Sequence, residues 1–240
     1  MELNRPLLKQ QARGLLQTAR PSALTAGAIY VALGALMSFL SSRLVGISYE
    51  TMERYVNFVS QGNVEYALSV LAASRPSAGA WLINLLLELA MTIVGAGFTL
   101  FILNTVRGTG AVYGNLLDGF AIFWRVLLLS IVQGLLILLW SLLFIVPGII
   151  AAYRYSMALY LLLDHPEYGI MDCIRESKAI TAGHKMELFK LDLSFLGWGL
   201  LTALPYVGYL TSVFVTPYYA ITHAFYYERL SGHVAQPEYL

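Results

Sequence analysis

The long apolar runs of this sequence constrain its fold more than any other feature. A helix rises about 1.5 Å per residue and the hydrocarbon core of a bilayer is about 30 Å thick, so about 20 mostly apolar residues can cross it. The chain has several such runs, and 58% of its 240 residues are hydrophobic whereas 12% are charged. An ordinary soluble domain carries about 25% charged residues. The sequence therefore predicts an all-α, polytopic bundle of membrane helices, with 1–240 forming a single integral membrane domain.

Six membrane-spanning helices are predicted from these runs. Two apolar blocks are too long for one span, and each is interrupted near its middle by a turn signal, Pro147-Gly148 in one and Pro205 with Gly208 in the other. Each block is therefore expected to form a hairpin of two helices. The predicted spans are 22–42, 78–103, 120–146, 148–163, 188–204 and 208–227, with an extracytoplasmic loop over 43–77.

The distribution of lysine and arginine predicts the orientation of these spans, because cytoplasmic connections carry the excess of basic residues. The loop over 43–77 holds only Arg43, Arg54 and Arg75. The other side collects Arg5, Lys9, Arg13, Arg20, Arg107, Arg125, Arg175, Lys178, Lys185, Lys190 and Arg229. We therefore expect a protein of the cytoplasmic membrane with both termini in the cytoplasm.

The N-terminal segment has the pattern of an amphipathic helix. Leu8, Ala12 and Leu15 recur at helical spacing, and a basic stripe lies beside them. The basic stripe consists of Arg5, Lys9 and Arg13. This composition is typical of a helix that lies in the headgroup region of a bilayer, so the stripe is predicted to contact the lipid surface.

Two further connections have a similar pattern before the third and fifth spans. One repeats Val112, Leu116, Phe120 and Phe123 at helical spacing, with Arg125 close behind. The other places Ile170, Cys173, Ile174 and Ser177 on one face and Gly183 at the expected helix end. Together with the N-terminal segment, they suggest a threefold repeat of an interfacial helix followed by a hairpin of two spans.

Ionisable residues inside predicted spans mark a functional site or a buried pair, because an isolated charge is costly in lipid. Glu88 lies well inside the second span with Asn84 one turn before it, and Arg154 lies at a similar depth in the fourth. The two are predicted to pair across the bundle, and Asp192 in the fifth span is a rival partner for Arg154. A structural ion pair, a solute or proton site and a snorkelling or water-exposed placement all fit this pattern.

The last span adds Tyr219 and His223, one helical turn apart. A membrane histidine can be a hydrogen-bonded packing residue or a ligand, and the sequence does not separate the two. With Glu88, Arg154, Asp192 and Asn84, these residues form the hypothetical intramembrane polar site.

Several kinds of chemistry have no recognisable motif in the sequence. A single cysteine, Cys173, excludes an internal disulfide and a multi-cysteine metal site. No phosphate-binding loop, nucleophile elbow or zinc-protease motif occurs. A net charge of +1 gives no indication of a nucleic-acid partner. We therefore expect no cofactor, no metal and no catalytic residues.

Three segments resemble a known family. They are ESKAITAGHK with LFKLDLSFLGW over 176–198, Pro147-Gly148 with YRY at 153–155, and the segment 216–230 that ends in FYYERL. Here the chain resembles the bacterial membrane-protein family catalogued as domain of unknown function 975, and LDLSFLGW is the most specific part. The resemblance covers most of the chain. It implies a bacterial cytoplasmic membrane protein and adds no reaction.

These observations favour a non-enzymatic transport or accessory component that contacts lipid, a membrane-protein partner or a second copy of itself. One alternative is a small-solute or lipid transporter that uses the intramembrane polar site. The other is a membrane-embedded lipid-modifying enzyme that uses Asp192 and His223.

Overall fold

A computed structural model describes residues 5–45, 49–204 and 207–232, and within these ranges the chain is helical with no strand. The all-α prediction is therefore confirmed. A short 3₁₀ turn over Gly119–Ile122 separates α6 from α7. The helices are α1 Arg5–Thr18, α2 Ala23–Val45, α3 Tyr49–Ser60, α4 Val64–Ala73, α5 Ala78–Arg107, α6 Asn115–Asp118, α7 Phe123–Leu143, α8 Ile145–Tyr155, α9 Ala158–Asp164, α10 Ile170–Ile180, α11 Lys185–Leu193, α12 Leu196–Thr202 and α13 Val207–Leu230.

Among the described residues, four helical segments are long and apolar enough to cross a membrane. They are Ala23–Val45, Ala78–Arg107, Asn115–Leu143 and Ile145–Asp164. These four segments overlap the first four predicted spans. The fifth predicted span, 188–204, consists of α11 and α12 with a turn at Ser194 and Phe195 between them. The sixth corresponds to α13, and the break predicted at Pro205 lies outside the described residues.

The chain divides into two compact units. The first combines Met1–Val31 with Thr92–Leu240, and the second comprises Ala32–Met91. The division passes through α2 and α5.

Within the first unit, α13 forms much of the buried core. Tyr218, Ile221, Ala224, Tyr226 and Tyr227 are fully buried on it. A helix that is covered by protein on most sides can carry tyrosine and histidine, because those polar groups then meet protein partners rather than lipid.

Helix α1 packs against α13 through its apolar face. Leu8, Ala12 and Leu16 are buried, whereas Leu15 is half-buried. The predicted face was therefore right for Leu8 and Ala12, but its last member is Leu16. At about 100° per residue, Leu16 lies about 40° around the helix from Ala12, whereas Leu15 lies about 60° away on the other side.

The turn of the first predicted hairpin lies at Phe144 rather than at Pro147-Gly148. Phe144 is extended (φ −163°, ψ 155°), and α8 begins at the next residue. Pro147 fits the first turn of α8, where backbone N–H groups have no helical partner. Gly148 is needed because a Cβ there would collide with Ser141 across the hairpin. The proline and glycine therefore start the second helix instead of forming the turn.

Helix α10 has the buried face that the sequence predicted. Cys173, Ile174 and Ser177 are buried on it, Ile170 is half-buried, and Gly183 has a φ of +85° just beyond its end. This face packs on α8 and α9. The Ser177 hydroxyl donates to the Arg154 carbonyl at 3.0 Å and accepts from the Met157 N–H at 3.2 Å. Ser177 thereby satisfies backbone groups that the break between α8 and α9 leaves unpaired.

The segment before α7 differs from the predicted amphipathic helix. Val112 and Phe120 are exposed, and the chain forms only the short α6 and the 3₁₀ turn. It crosses α5 so closely that a Cβ at Gly97 would collide with the Leu116 carbonyl, and a Cβ at Gly119 with the Ile93 carbonyl. The three predicted interfacial helices thus have 14, 4 and 11 residues, and they do not form equivalent repeats.

The second unit contains most of the predicted extracytoplasmic loop, and there the chain forms α3 and α4. Gly62, with a φ of +75°, lies in the connection between these helices. The rings of Phe58 and Tyr66 stack with their centroids 5.8 Å apart, which joins the two helices in a hairpin. In the same unit, the Ser41 hydroxyl of α2 donates to the Asn84 side chain of α5.

Candidate functional site

A polar cluster around Asp192 unites three elements of the first unit. His223 Nε2 lies 2.8 Å from Asp192 Oδ1, and the Tyr219 hydroxyl donates to the same oxygen at 3.0 Å. Tyr153 of α8 lies close by, with its ring edge-on to the Phe189 ring of α11 and the two centroids 6.0 Å apart. The rings of Tyr219 and His223 lie 4.2 Å apart. The structure thus brings together Asp192, Tyr219 and His223 of the predicted polar site and adds Tyr153, which the sequence analysis did not select.

This arrangement connects helices of the first unit. A carboxylate that accepts several hydrogen bonds has its negative charge satisfied within the protein. His223 uses its Nε2 atom for the contact with Asp192. The cluster therefore holds α8, α11 and α13 together.

Arg154 does not join the Asp192 cluster. Its guanidinium carbon lies 5.8 Å from the centre of the Trp140 ring, a cation–π geometry. Its Nε atom is buried and has no hydrogen-bond partner among the described residues. Within that part of the chain no ion pair links Arg154 to Asp192. Glu88 lies on α5 in the second unit, so its predicted pairing with Arg154 stays a prediction.

A charge cluster that sequence reasoning missed joins the ends of three helices. Arg107 at the end of α5 forms two bonds to Asp164 at the end of α9, of 2.6 and 2.9 Å. Its guanidinium also contacts Glu228 of α13 at 2.7 Å. The Tyr227 hydroxyl donates to Asp164 at 2.8 Å. The available sequence signal was that each of the three charged residues lies in the last turns of an otherwise apolar or aromatic helix.

A smaller contact ties the start of α11 to α13. His184 Nδ1 lies 3.0 Å from a Glu187 oxygen, and the Tyr226 hydroxyl donates to that oxygen at 3.2 Å.

The predicted basic stripe of α1 lies against the turn between α11 and α12. Lys9 Nζ donates to the Ser194 hydroxyl at 2.8 Å and to the Ser194 carbonyl at 3.1 Å. The same ammonium lies 4.0 Å from the centre of the Phe195 ring. Arg13 Nε donates to the Tyr218 hydroxyl at 3.1 Å. Two of the three basic side chains are thus held in place by the protein.

These side chains border an open groove of about 540 Å³, which we call the α1 groove. It is lined by Arg5, Pro6, Lys9, Gln10, Arg13 and Ser194. Burial, followed by the positive charge of Arg13, lowers the pKa of Lys9. Three cations at one groove can attract an anion with several oxygen acceptors, such as a phosphate group.

Comparison with known proteins supports the family resemblance and adds no activity. Residues 142–233 match the model of a family described as Protein of unknown function (DUF975), which confirms the resemblance over that segment. The matched segment includes Asp192, His223 and the Ser194 side of the α1 groove. No curated protein and no solved structure matches the chain.

Proposed function

We propose that this chain is a six-span, non-enzymatic membrane component, in a transport or accessory role, that holds the phosphate of an anionic phospholipid in the α1 groove. The observation that carries the proposal is the convergence of Arg5, Lys9 and Arg13 on one open groove beside Ser194. In an integral membrane protein, a phosphate beside an amphipathic helix is most readily supplied by a lipid headgroup.

The length and burial of α13 support the six-span arrangement. Its 24 residues measure about 36 Å, which is enough to cross a hydrocarbon core of about 30 Å. Much of its surface is covered by protein, so it needs less apolar surface than a helix that faces lipid. In the fifth predicted span, the exposed Leu196, Leu200 and Leu201 of α12 suit contact with lipid.

The Arg107 cluster supports the proposed sidedness. It places the ends of α5, α9 and α13 at the same end of the first unit. A chain that crosses the membrane twice between the end of α5 and the end of α9 returns to the same side. Two more crossings before the end of α13 bring it back to that side again. With the excess of lysine and arginine at these ends, both termini lie in the cytoplasm.

The expected affinity follows from the charges in the groove. A basic residue near an anionic leaflet contributes about 1 kcal/mol, so three contribute about 3 kcal/mol, or about a hundredfold in affinity. Lys9 and Arg13 already contact protein groups, so part of the conformational entropy of their side chains is lost before the lipid binds. Binding therefore costs less entropy than it would for two mobile side chains.

Thermal unfolding of the purified full-length protein in detergent tests the proposal. Added phosphatidylglycerol should raise the midpoint of unfolding, because a ligand that binds only the native state stabilises it. The R5Q/K9Q/R13Q variant should lose this rise, whereas R175Q, which changes an exposed arginine outside the groove, should keep it. Inorganic phosphate at the same concentration should raise the midpoint of unfolding less, if the acyl chains of the lipid contribute to binding. An equal rise in the triple variant would overturn the proposal.

A carrier with an intramembrane polar site is the second candidate function. It is favoured by Arg154, whose buried Nε has no hydrogen-bond partner in the described part of the chain. In this candidate, the Arg154 side chain contacts the solute. The lipid-modifying enzyme that uses Asp192 and His223 has weaker support, because that carboxylate is already engaged by His223 and Tyr219.

A further inference from the structure

The α3–α4 hairpin of the second unit exposes apolar side chains where the sequence predicted a loop in water. The residues of this group are Met52, Val56 and Val59 on α3 and Val64 and Leu68 on α4. An isolated exposed apolar side chain is normal, but a contiguous group indicates a surface that contacts a partner or lipid.

The positions of these residues around each helix can be read from the sequence, since each residue advances about 100°. On α3, the half-buried Tyr55 and Phe58 face α4, and the stripe of Met52, Val56 and Val59 lies about 100° from them. On α4, the contact side contains the buried Ala67. Val64 and Leu68 lie about 100° from that side in the same rotational sense.

The two stripes lie on one face of the hairpin. Helices joined by a connection as short as 61–63 run antiparallel. Seen from one end of the hairpin, the residues of the two antiparallel helices advance in opposite directions around their axes. Equal rotations away from the facing contact sides therefore bring both stripes to the same face of the hairpin. The opposite face contains Glu50, Arg54 and Asn57 of α3 and Tyr66 and Ser69 of α4, all of which are exposed. The hairpin is therefore amphipathic as a unit, with one apolar and one polar face.

Its attachment places the hairpin at the membrane surface. Three residues separate α2 from α3, and four separate α4 from α5. A residue spans at most about 3.6 Å, so neither connection reaches much more than about 14 Å. The nearby parts of α2 and α5 also expose apolar side chains, including Phe39 and Leu82. The apolar face of the hairpin is thus tethered at both ends to segments suited to lipid.

We propose that the α3–α4 hairpin lies flat on the extracytoplasmic leaflet, with its apolar face inserted among the lipids and its polar face in water. This inference rests on the membrane placement of α2 and α5 in the proposed function, and it is independent of the α1 groove. The hairpin carries Glu50, Glu53 and Glu65 but only one basic residue, Arg54. Its attachment therefore depends on apolar burial and needs no anionic lipid.

Fluorescence quenching in proteoliposomes of phosphatidylcholine tests this placement in the full-length chain. The variants V56C and N57C, labelled with an environment-sensitive fluorophore, compare the apolar and polar faces of α3, and L68C and S69C compare those of α4. The native Cys173 is fully buried and does not compete for the label. Lipids with a nitroxide on the acyl chain should quench the apolar-face labels about twofold more than the polar-face labels, because the apolar face of an interfacial helix sits about 5–10 Å into the lipid boundary. Aqueous iodide should quench in the opposite order.

A label at L36C, in the middle of α2, separates failure of this inference from failure of the membrane placement. If Leu36 is quenched by the lipid nitroxide but Val56 and Leu68 are open to iodide, the hairpin lies in water and the inference is wrong. If Val56 and Leu68 are shielded from both quenchers, a protein surface or a second copy covers the face and the inference is also wrong. If Leu36 itself is open to iodide, the proposed spans fail.

Discussion

Arg107 and Asp164 form a bidentate pair that joins the end of α5 to the end of α9. Nη1 lies 2.6 Å from Oδ1, and Nη2 lies 2.9 Å from Oδ2. Glu228, which is 3% exposed, completes the cluster. A single guanidinium therefore compensates two carboxylates and connects three helices.

Replacing Arg107 with glutamine should destabilise the protein strongly, because Asp164 and Glu228 would face each other without a cation. Removing one partner of a buried pair costs about 3–5 kcal/mol, and the partial exposure of Arg107 places our expectation near about 3 kcal/mol. Thermal or denaturant unfolding in detergent measures the loss. R175Q removes an exposed pair with Asp172 and should cost at most about 1 kcal/mol. Equal losses in the two variants would contradict the role assigned to Arg107.

The Asp192 cluster should behave as one packing unit. D192N and H223Q should each lower stability, and the double variant should lose less than the sum, with a coupling of about 0.5–3 kcal/mol. Y219F removes a single donor to Asp192 and should cost about 1 kcal/mol. Strictly additive losses from D192N and H223Q would mean that the 2.8 Å contact contributes nothing to stability.

The close crossing of α5 and the segment before α7 requires glycine at two positions. G97A and G119A should each be destabilising, because the added Cβ would meet a backbone carbonyl that cannot move independently. G134A is a matched control in the middle of α7, where nothing lies within 4 Å of the added atom. There alanine should be neutral or stabilising by up to about 1 kcal/mol. Unfolding midpoints of the three variants give the comparison, and a loss in G134A as large as in G97A would show that the crossing is not the cause.

The predicted pair of Glu88 and Arg154 can be tested by a double-mutant cycle. E88Q and R154Q should each lower thermal stability, since each leaves an uncompensated charge, and the double variant should recover part of the loss. Strictly additive losses would exclude the pair. Unchanged stability with loss of a transport or binding activity would favour the carrier candidate over a structural pair.

Local periodicity was sufficient to predict some features of this chain. Run length predicted the helical class, and the 3.6-residue period predicted the buried face of α10, because both depend on neighbours in the sequence. The hairpin turn was placed at Pro147-Gly148 because those residues often form turns. The same two residues also suit the first turn of a helix that packs closely on its neighbour. The close approach of Gly148 to Ser141 is a long-range contact, and it distinguishes a helix start from a turn at these residues.

Long-range contacts were beyond the reach of sequence patterns. Tyr219 and His223 were selected with Asp192 because all three are polar residues in apolar surroundings. Nothing local to Arg107 indicates that Asp164 and Glu228 are its partners. Likewise, the stripe of Arg5, Lys9 and Arg13 was visible as helical spacing, but its contacts with Ser194 and Tyr218 depend on how α1 packs across α11 and α13.

Native mass spectrometry of the full-length protein released from detergent with defined lipids tests the central claim most directly, since it counts the phospholipids bound to each molecule. We expect wild type and R175Q to retain a phosphatidylglycerol that phosphatidylcholine does not displace at equal concentration. The R5Q/K9Q/R13Q variant should bind it about a hundredfold more weakly. Equal retention of phosphatidylglycerol by the wild type and the triple variant would contradict the assignment of the α1 groove as the lipid phosphate site.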